Sequence, residues 1–131
     1  FFSYSLLSLY LAELILHLNE TISHHNNEDI RIVLCTTPDE ATAKIIAKQL
    51  VVKKLAACVT LLPQAISFYR WQDELEQQTE VQMLIKTHIT LQDKVFSHIK
   101  THHPYQVPEL LVIAVTDGDI NYLAWLKKSL N

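Results

Sequence analysis

Glycine is nearly missing from this chain: the 131 residues contain one, Gly118. That excludes the dinucleotide-binding fingerprint and the phosphate-cradling loop, both of which need several glycines at fixed spacing. It also leaves the turns to proline, asparagine and aspartate. Cysteine is scarce as well. Cys35 and Cys58 lie in apolar, strand-like surroundings without the spacing of a small disulfide-stapled domain, so both are expected as free thiols of a cytoplasmic protein. A basic excess is absent: Lys and Arg number 11 against 14 Asp and Glu, a net charge of -3 that argues against a nucleic-acid partner. What the chain does have is apolar content, 49% of its residues, which excludes disorder for most of its length and suits one domain with its own core.

The N-terminal stretch 1–18, FFSYSLLSLYLAELILHL, has no basic residue ahead of its apolar run and no small-residue cleavage site, so it fits a secretory signal poorly. Glu13 and three serines make it a weak membrane span, and no membrane partner is expected. Leu7, Leu11, Leu14 and Leu18 recur at helical spacing, which predicts an amphipathic helix packed on another surface. The missing initiator Met suggests a trimmed or truncated start. Residues 19–29, NETISHHNNED, read as a polar linker. The chain thus divides into an extension, 1–29, and a compact domain, 30–131.

Within the domain, Ile30 to Thr36 is a β-branched run. Thr37-Pro38-Asp39-Glu40 then predicts a helix start with Thr37 as cap and Glu40 closing a capping box. Ala41, Ile45, Lys48, Val52 and Leu55 supply the expected buried stripe. Ala57 to Trp71 reads as a long strand, bent, bulged or at an edge where Pro63 interrupts it. Gln72-Asp73-Glu74 turns the chain, and Leu75 to Thr87 returns with Val81, Met83 and Ile85 on one face. Thr90 is expected to cap a second helix carrying Leu91, Val95, Phe96 and Ile99. A loop stiffened by Pro104 and Pro108 leads to a fourth strand, Glu109 to Val115, and Asp119 caps a final helix. The order β-α-β-β-α-β plus a helix predicts an α+β, ferredoxin-like sandwich. Apolar residues at both parities of the last strand (Leu110, Leu111, Val112, Ile113) predict two buried faces, hence a homo-oligomer covering the second.

Six blocks in order carry a resemblance: LCTTPDEATA from Leu34, KLAACV from Lys54, Tyr69-Arg70-Trp71, EVQM from Glu80 with Lys86-Thr87, HHPYQVPE from His102, and YLAW from Tyr122. From about Ile30 to Asn131 the chain resembles the CutA family, the divalent-cation tolerance proteins. The resemblance implies a ferredoxin-like fold, a homotrimer formed by sheet-to-sheet association, a cytoplasmic location, and binding of copper or other divalent metal ions linked to metal tolerance. The family often has glycine in the hairpin where this chain has Gln72-Asp73-Glu74. Aspartate tolerates the left-handed conformation, so the hairpin is expected to be kept with a little strain. The extension 1–29 has no counterpart.

By the same resemblance, the metal ligands fall on Cys35, His102 and His103. A thiolate with imidazoles suits copper or zinc. The residues alone leave each position open: Cys35 is equally a small core residue, and the two histidines equally suit a helix C-terminus. His24 and His25 read as a solvated linker pair, and Cys58 as packing. Lys86, Tyr105 and Glu109 are cleft candidates, with Lys86 and Glu109 expected as a polar pair. Asp73, Glu74, Glu76 and Glu80 read as a solvated acidic face. No catalytic constellation is apparent, so a non-enzymatic function is expected. The alternatives are a regulatory or scaffold trimer resembling PII proteins, taking a small metabolite or anion between subunits, and a purely structural assembly.

Overall fold

The computed structural model describes residues 6–18 and 29–131. Helix α1 (6–18) forms as its leucine spacing predicts, but Leu7, Leu11, Leu14 and Leu18 all remain exposed, so the surface expected to cover them is not supplied by the described residues. The linker, His24 and His25 included, lies outside those residues apart from Asp29.

The domain runs β1 (Ile30–Thr37), α2 (Glu40–Val52), β2 (Cys58–Trp71), β3 (Glu74–His88), α3 (Gln92–His102), β4 (Leu111–Ala114) and α4 (Ile120–Ser129). The strands form one four-stranded sheet ordered β2-β3-β1-β4. Every neighbouring pair is antiparallel. This is the expected ferredoxin-like α+β sandwich with an added C-terminal helix.

Strand periodicity explains the two faces. Val33 and Cys35 of β1, with Val81, Met83 and Ile85 of β3, point to the side covered by α2 and α3, where Ala43, Ile46, Leu50, Val95 and Ile99 complete the core. Ile30 has the opposite parity to Val33 and Cys35, and is buried on the other side by Leu123 and Leu126 of α4. So α4 covers one end of the outer face and leaves the remainder open.

Several local expectations are corrected. Helix α2 buries Ala43, Ile46 and Leu50, not the stripe through Ala41, Ile45 and Val52, which faces outward. Its cap is Asp39, whose carboxylate accepts from the Thr42 N–H at 2.7 Å. Thr37 is buried and donates instead to the Asp39 carbonyl. Aspartate wins the cap because Asp39 is the last extended residue, with φ -150° and ψ 163°. The turn ahead of α3 is capped by the His88 ring, which accepts from the Thr90 N–H; Thr90 is not the cap. Strand β4 begins at Leu111, two residues later than expected.

Pro63 does sit at a bulge: the β2–β3 register shifts between Leu62 and Ala65, and β2 is an edge strand. With glycine so rare, the left-handed conformation falls on Lys54, Gln64, Gln72 and Asp73, of which only Asp73 is a type expected there. Gly118 has no positive φ. It is small because a Cβ would meet Leu123 at 3.2 Å.

Candidate functional site

Helix α3 ends at His102 because Pro104 follows and His103 has already turned extended, with φ -86° and ψ 134°. The two adjacent histidines therefore diverge. His103 turns inward and is buried. Its Nδ1 accepts from the Tyr105 N–H at 3.0 Å, which assigns the proton to Nε2, and Nε2–H donates to the Thr36 carbonyl at 2.7 Å. Both ring nitrogens are thus engaged. His102 stays exposed, and its Nδ1–H donates back to the His98 carbonyl at 2.8 Å.

Cys35 is fully buried in β1, and its thiol donates weakly to the same Thr36 carbonyl at 3.7 Å. Burial first, then the charges of Glu109 and Glu80, pushes that thiol up to about 12. The structure therefore brings Cys35 and His103 together at Thr36 and turns His102 elsewhere. Among the described residues, no three His, Cys, Asp or Glu side chains gather as a set that could hold an ion. As they stand, Cys35 and His103 do not fit a metal: one would need to lose a tightly held proton, the other an existing hydrogen bond.

Beside them on the outer face is a polar cluster that the sequence reading missed. Glu80 is only 8% exposed, not part of a solvated face, and accepts from Tyr105 Oη at 3.2 Å. Gln82 donates to Glu109 at 3.1 Å and to the Cys35 carbonyl at 3.2 Å. Burial and the Glu80 charge hold the Tyr105 hydroxyl above its usual value. The even parity of Glu80 and Gln82, shared with Thr36 across the ladder, was the available signal.

Lys86 does not pair with Glu109. It is four residues along β3 from Gln82, about 13 Å at strand rise, and meets Tyr122 of α4 instead. Its Nζ donates to Tyr122 Oη at 2.8 Å and lies 5.2 Å from that ring's centre, and the hydrogen bond raises its pKa. Tyr105 and Glu109 share one cluster, and Lys86 belongs to the opposite end of the sheet. Cys58 is half-buried and free.

The outer face also carries apolar side chains with nothing over them. Leu111 and Ile113, register partners of Leu34 and Ile32, are 57% and 48% exposed, and on the β2–β3 arm Tyr69 and Trp71, whose partners Glu76 and Glu74 share the parity of Glu80, are 40% and 62% exposed. Both parities of β4 are apolar as noted, but one chain covers only Leu110 and Val112, and those in part.

A four-stranded ferredoxin-like sheet with a histidine-bearing helix end beside a carboxylate cluster defines a class of small α+β proteins. The matches to known proteins narrow it. Residues 31–129 match the family model described as CutA1 divalent ion tolerance protein. The chain is 54% identical over 110 residues to the divalent-cation tolerance protein CutA of Citrobacter koseri, spanning 80% of this chain and 96% of that protein. It is 56% identical over 99 residues to the same-named protein of Salmonella newport, spanning 76% and 86%. Among solved structures, CutA from Xylella fastidiosa superposes with a TM-score of 0.76 at 39% identity, covering 79% of this chain and 99% of that one. CutA from Archaeoglobus fulgidus, described as periplasmic, gives 0.75 at 32% identity, covering 78% and 99%. The chain belongs to the CutA1 divalent ion tolerance family.

Proposed function

We propose that this chain works as a non-enzymatic homotrimer that binds divalent cations, copper among them, in the service of metal tolerance. The observation that carries the assembly is the uncovered apolar outer face. Leu111, Ile113, Tyr69 and Trp71 stand exposed on that face, apolar side chains that further copies would take out of water. A second and third copy laid against it would bury that face and close the ring.

A cation suits the site better than an anion does. Glu80 and Glu109 put two carboxylates beside Tyr105 and Gln82, and this acidic cluster disfavours the anionic metabolite of a PII-like trimer. The state of Cys35 supports a role without catalysis, since a buried thiol held near 12 is the reverse of an activated nucleophile. Two unpaired cysteines support a reducing, cytoplasmic setting. No helix among the described residues is long and apolar enough to cross a membrane.

The test is a calorimetric titration of the full chain with Cu2+, beside the double variant Glu80→Gln/Glu109→Gln. Wild type is expected to bind the ion, and the double variant to bind it more weakly. Binding that the double variant retains in full, or none in wild type, contradicts the proposal.

A further inference from the structure

Helix α3 carries a histidine that neither the resemblance nor the Cys35 cluster accounts for. His98 precedes His102 by four residues, so both side chains lie on one face of the helix, one turn apart. Their rings stack with centroids 4.3 Å apart and planes inclined by 30°. His98 is 7% exposed, and its Nε2 is buried without a hydrogen-bond partner. A buried imidazole nitrogen with no partner is costly, and such an atom calls for an explanation.

The surroundings supply one. Both rings line a surface pocket of about 520 Å³ together with Lys53, Asp93, Ser97 and Thr101. The Nδ1–H of His102 is spent on the His98 carbonyl, which fixes the tautomer and leaves the Nε2 lone pair free. Metal-bound histidines are oriented in this way, with the second ring nitrogen donating to a carbonyl or carboxylate. We infer that His98 and His102 form a two-imidazole divalent-metal site on α3, opening into this pocket and independent of Cys35 and His103.

Four-residue spacing on a helix is the arrangement by which two histidines reach one zinc ion, and imidazole suits zinc, copper and nickel alike. For both Nε2 atoms to reach one ion the exposed His102 ring must swing out of its stack on His98, with water or the pocket's oxygen atoms completing the shell. Lys53 and Lys94 oppose a cation and Asp93 offsets part of that, so the site is expected to be weaker than a closed structural one.

This site rests on the proposed metal function but uses a different ligand set, and the two fail separately. The experiment titrates the full chain with Zn2+ by calorimetry and follows the ring nitrogens by 1H–15N NMR. Variants are His98→Ala, the volume-keeping His98→Phe, and Cys35→Ser/His103→Ala, with folding checked by circular dichroism. The inference predicts that both His98 variants weaken Zn2+ binding on the order of tenfold or more, while the Cys35/His103 variant binds as wild type does. It also predicts that the His98 Nε2 resonance shifts on adding Zn2+. Unchanged affinity in a folded His98 variant, or an unmoved His98 Nε2 resonance while zinc binds, overturns this site but leaves the metal function standing. Absence of Zn2+ and Cu2+ binding in wild type overturns both.

Discussion

The β2–β3 hairpin turns through two residues that both occupy the left-handed region, Gln72 at φ 50° and Asp73 at φ 65°. Their neighbours Trp71 and Glu74 are ladder partners, so this is a two-residue turn of the kind that favours Asn-Gly. An ordinary L-residue costs about 1–2 kcal/mol in that region, and aspartate somewhat less. Replacing Gln72→Asn and Asp73→Gly relieves about 2 kcal/mol of native-state cost. Glycine returns about 0.5–1 kcal/mol through the greater freedom of the unfolded chain. The net gain is about 1 kcal/mol per chain. Both side chains are exposed and no hydrogen bond in the structure uses them, so little else is lost. In urea this shifts the midpoint upward by about 0.5 M, for a slope of about 2 kcal/mol per molar. The opposite change, Asp73→Ala, removes the residue that best tolerates the conformation and should lower the midpoint. An Asn-Gly variant no more stable than wild type, or an Asp73→Ala variant no less stable, refutes the account of turn strain.

Three further outcomes follow from buried groups. Thr87→Val keeps the shape of a fully buried side chain but deletes its 2.6 Å hydrogen bond to the Leu55 carbonyl, and should cost about 1–3 kcal/mol in denaturant unfolding. His103→Ala leaves the Thr36 carbonyl and Tyr105 N–H without their ring partner, and should cost about 2 kcal/mol or more whether or not metal is added. Cys35 gives a pH dependence. Its folded value, about 12, lies above the ordinary 9.0, so its contribution is intact below pH 9 and is lost as pH rises from there. Over that range wild type should lose up to about 1.4 kcal/mol more stability per pH unit than Cys35→Ala. Parallel curves from pH 9 to about pH 11 contradict the burial argument.

Much of the architecture was legible in the residues, because strand alternation and turn chemistry act locally. Val81, Met83 and Ile85 declared the buried face of β3, and Pro63 declared its own bulge. The orientation of α2 was not legible. The sequence EATAKIIAKQLVV is apolar nearly all round, and the stripes through Ile45 and Ile46 both obey helical spacing. Only contact with Met83 and Ile99 across the core decides between them. The caps were misassigned because Thr37 and Asp39, or His88 and Thr90, are all competent acceptors, and the backbone path chooses.

The site was legible in its residue types and not in its partners. His102 and His103 are adjacent in sequence, but the helix ends between them and sends one ring to Thr36 and the other over His98. Lys86 and Glu109 have opposite charges and no shared location, since strand rise separates them. Glu80 resembles its solvated neighbours until Tyr105 folds over it. His98 was missed, although its four-residue spacing from His102, a relation local to one helix, was there to be read.

The central claim is that the open apolar face of the sheet is an interface between copies of this chain. Sedimentation velocity at micromolar concentration tests it most directly, on wild type and on Leu111→Glu/Ile113→Glu. Wild type should sediment as a species of three times the 15.1 kDa chain mass, and the variant, with two charges on that face, as smaller species. A wild-type chain that sediments as a monomer contradicts the claim.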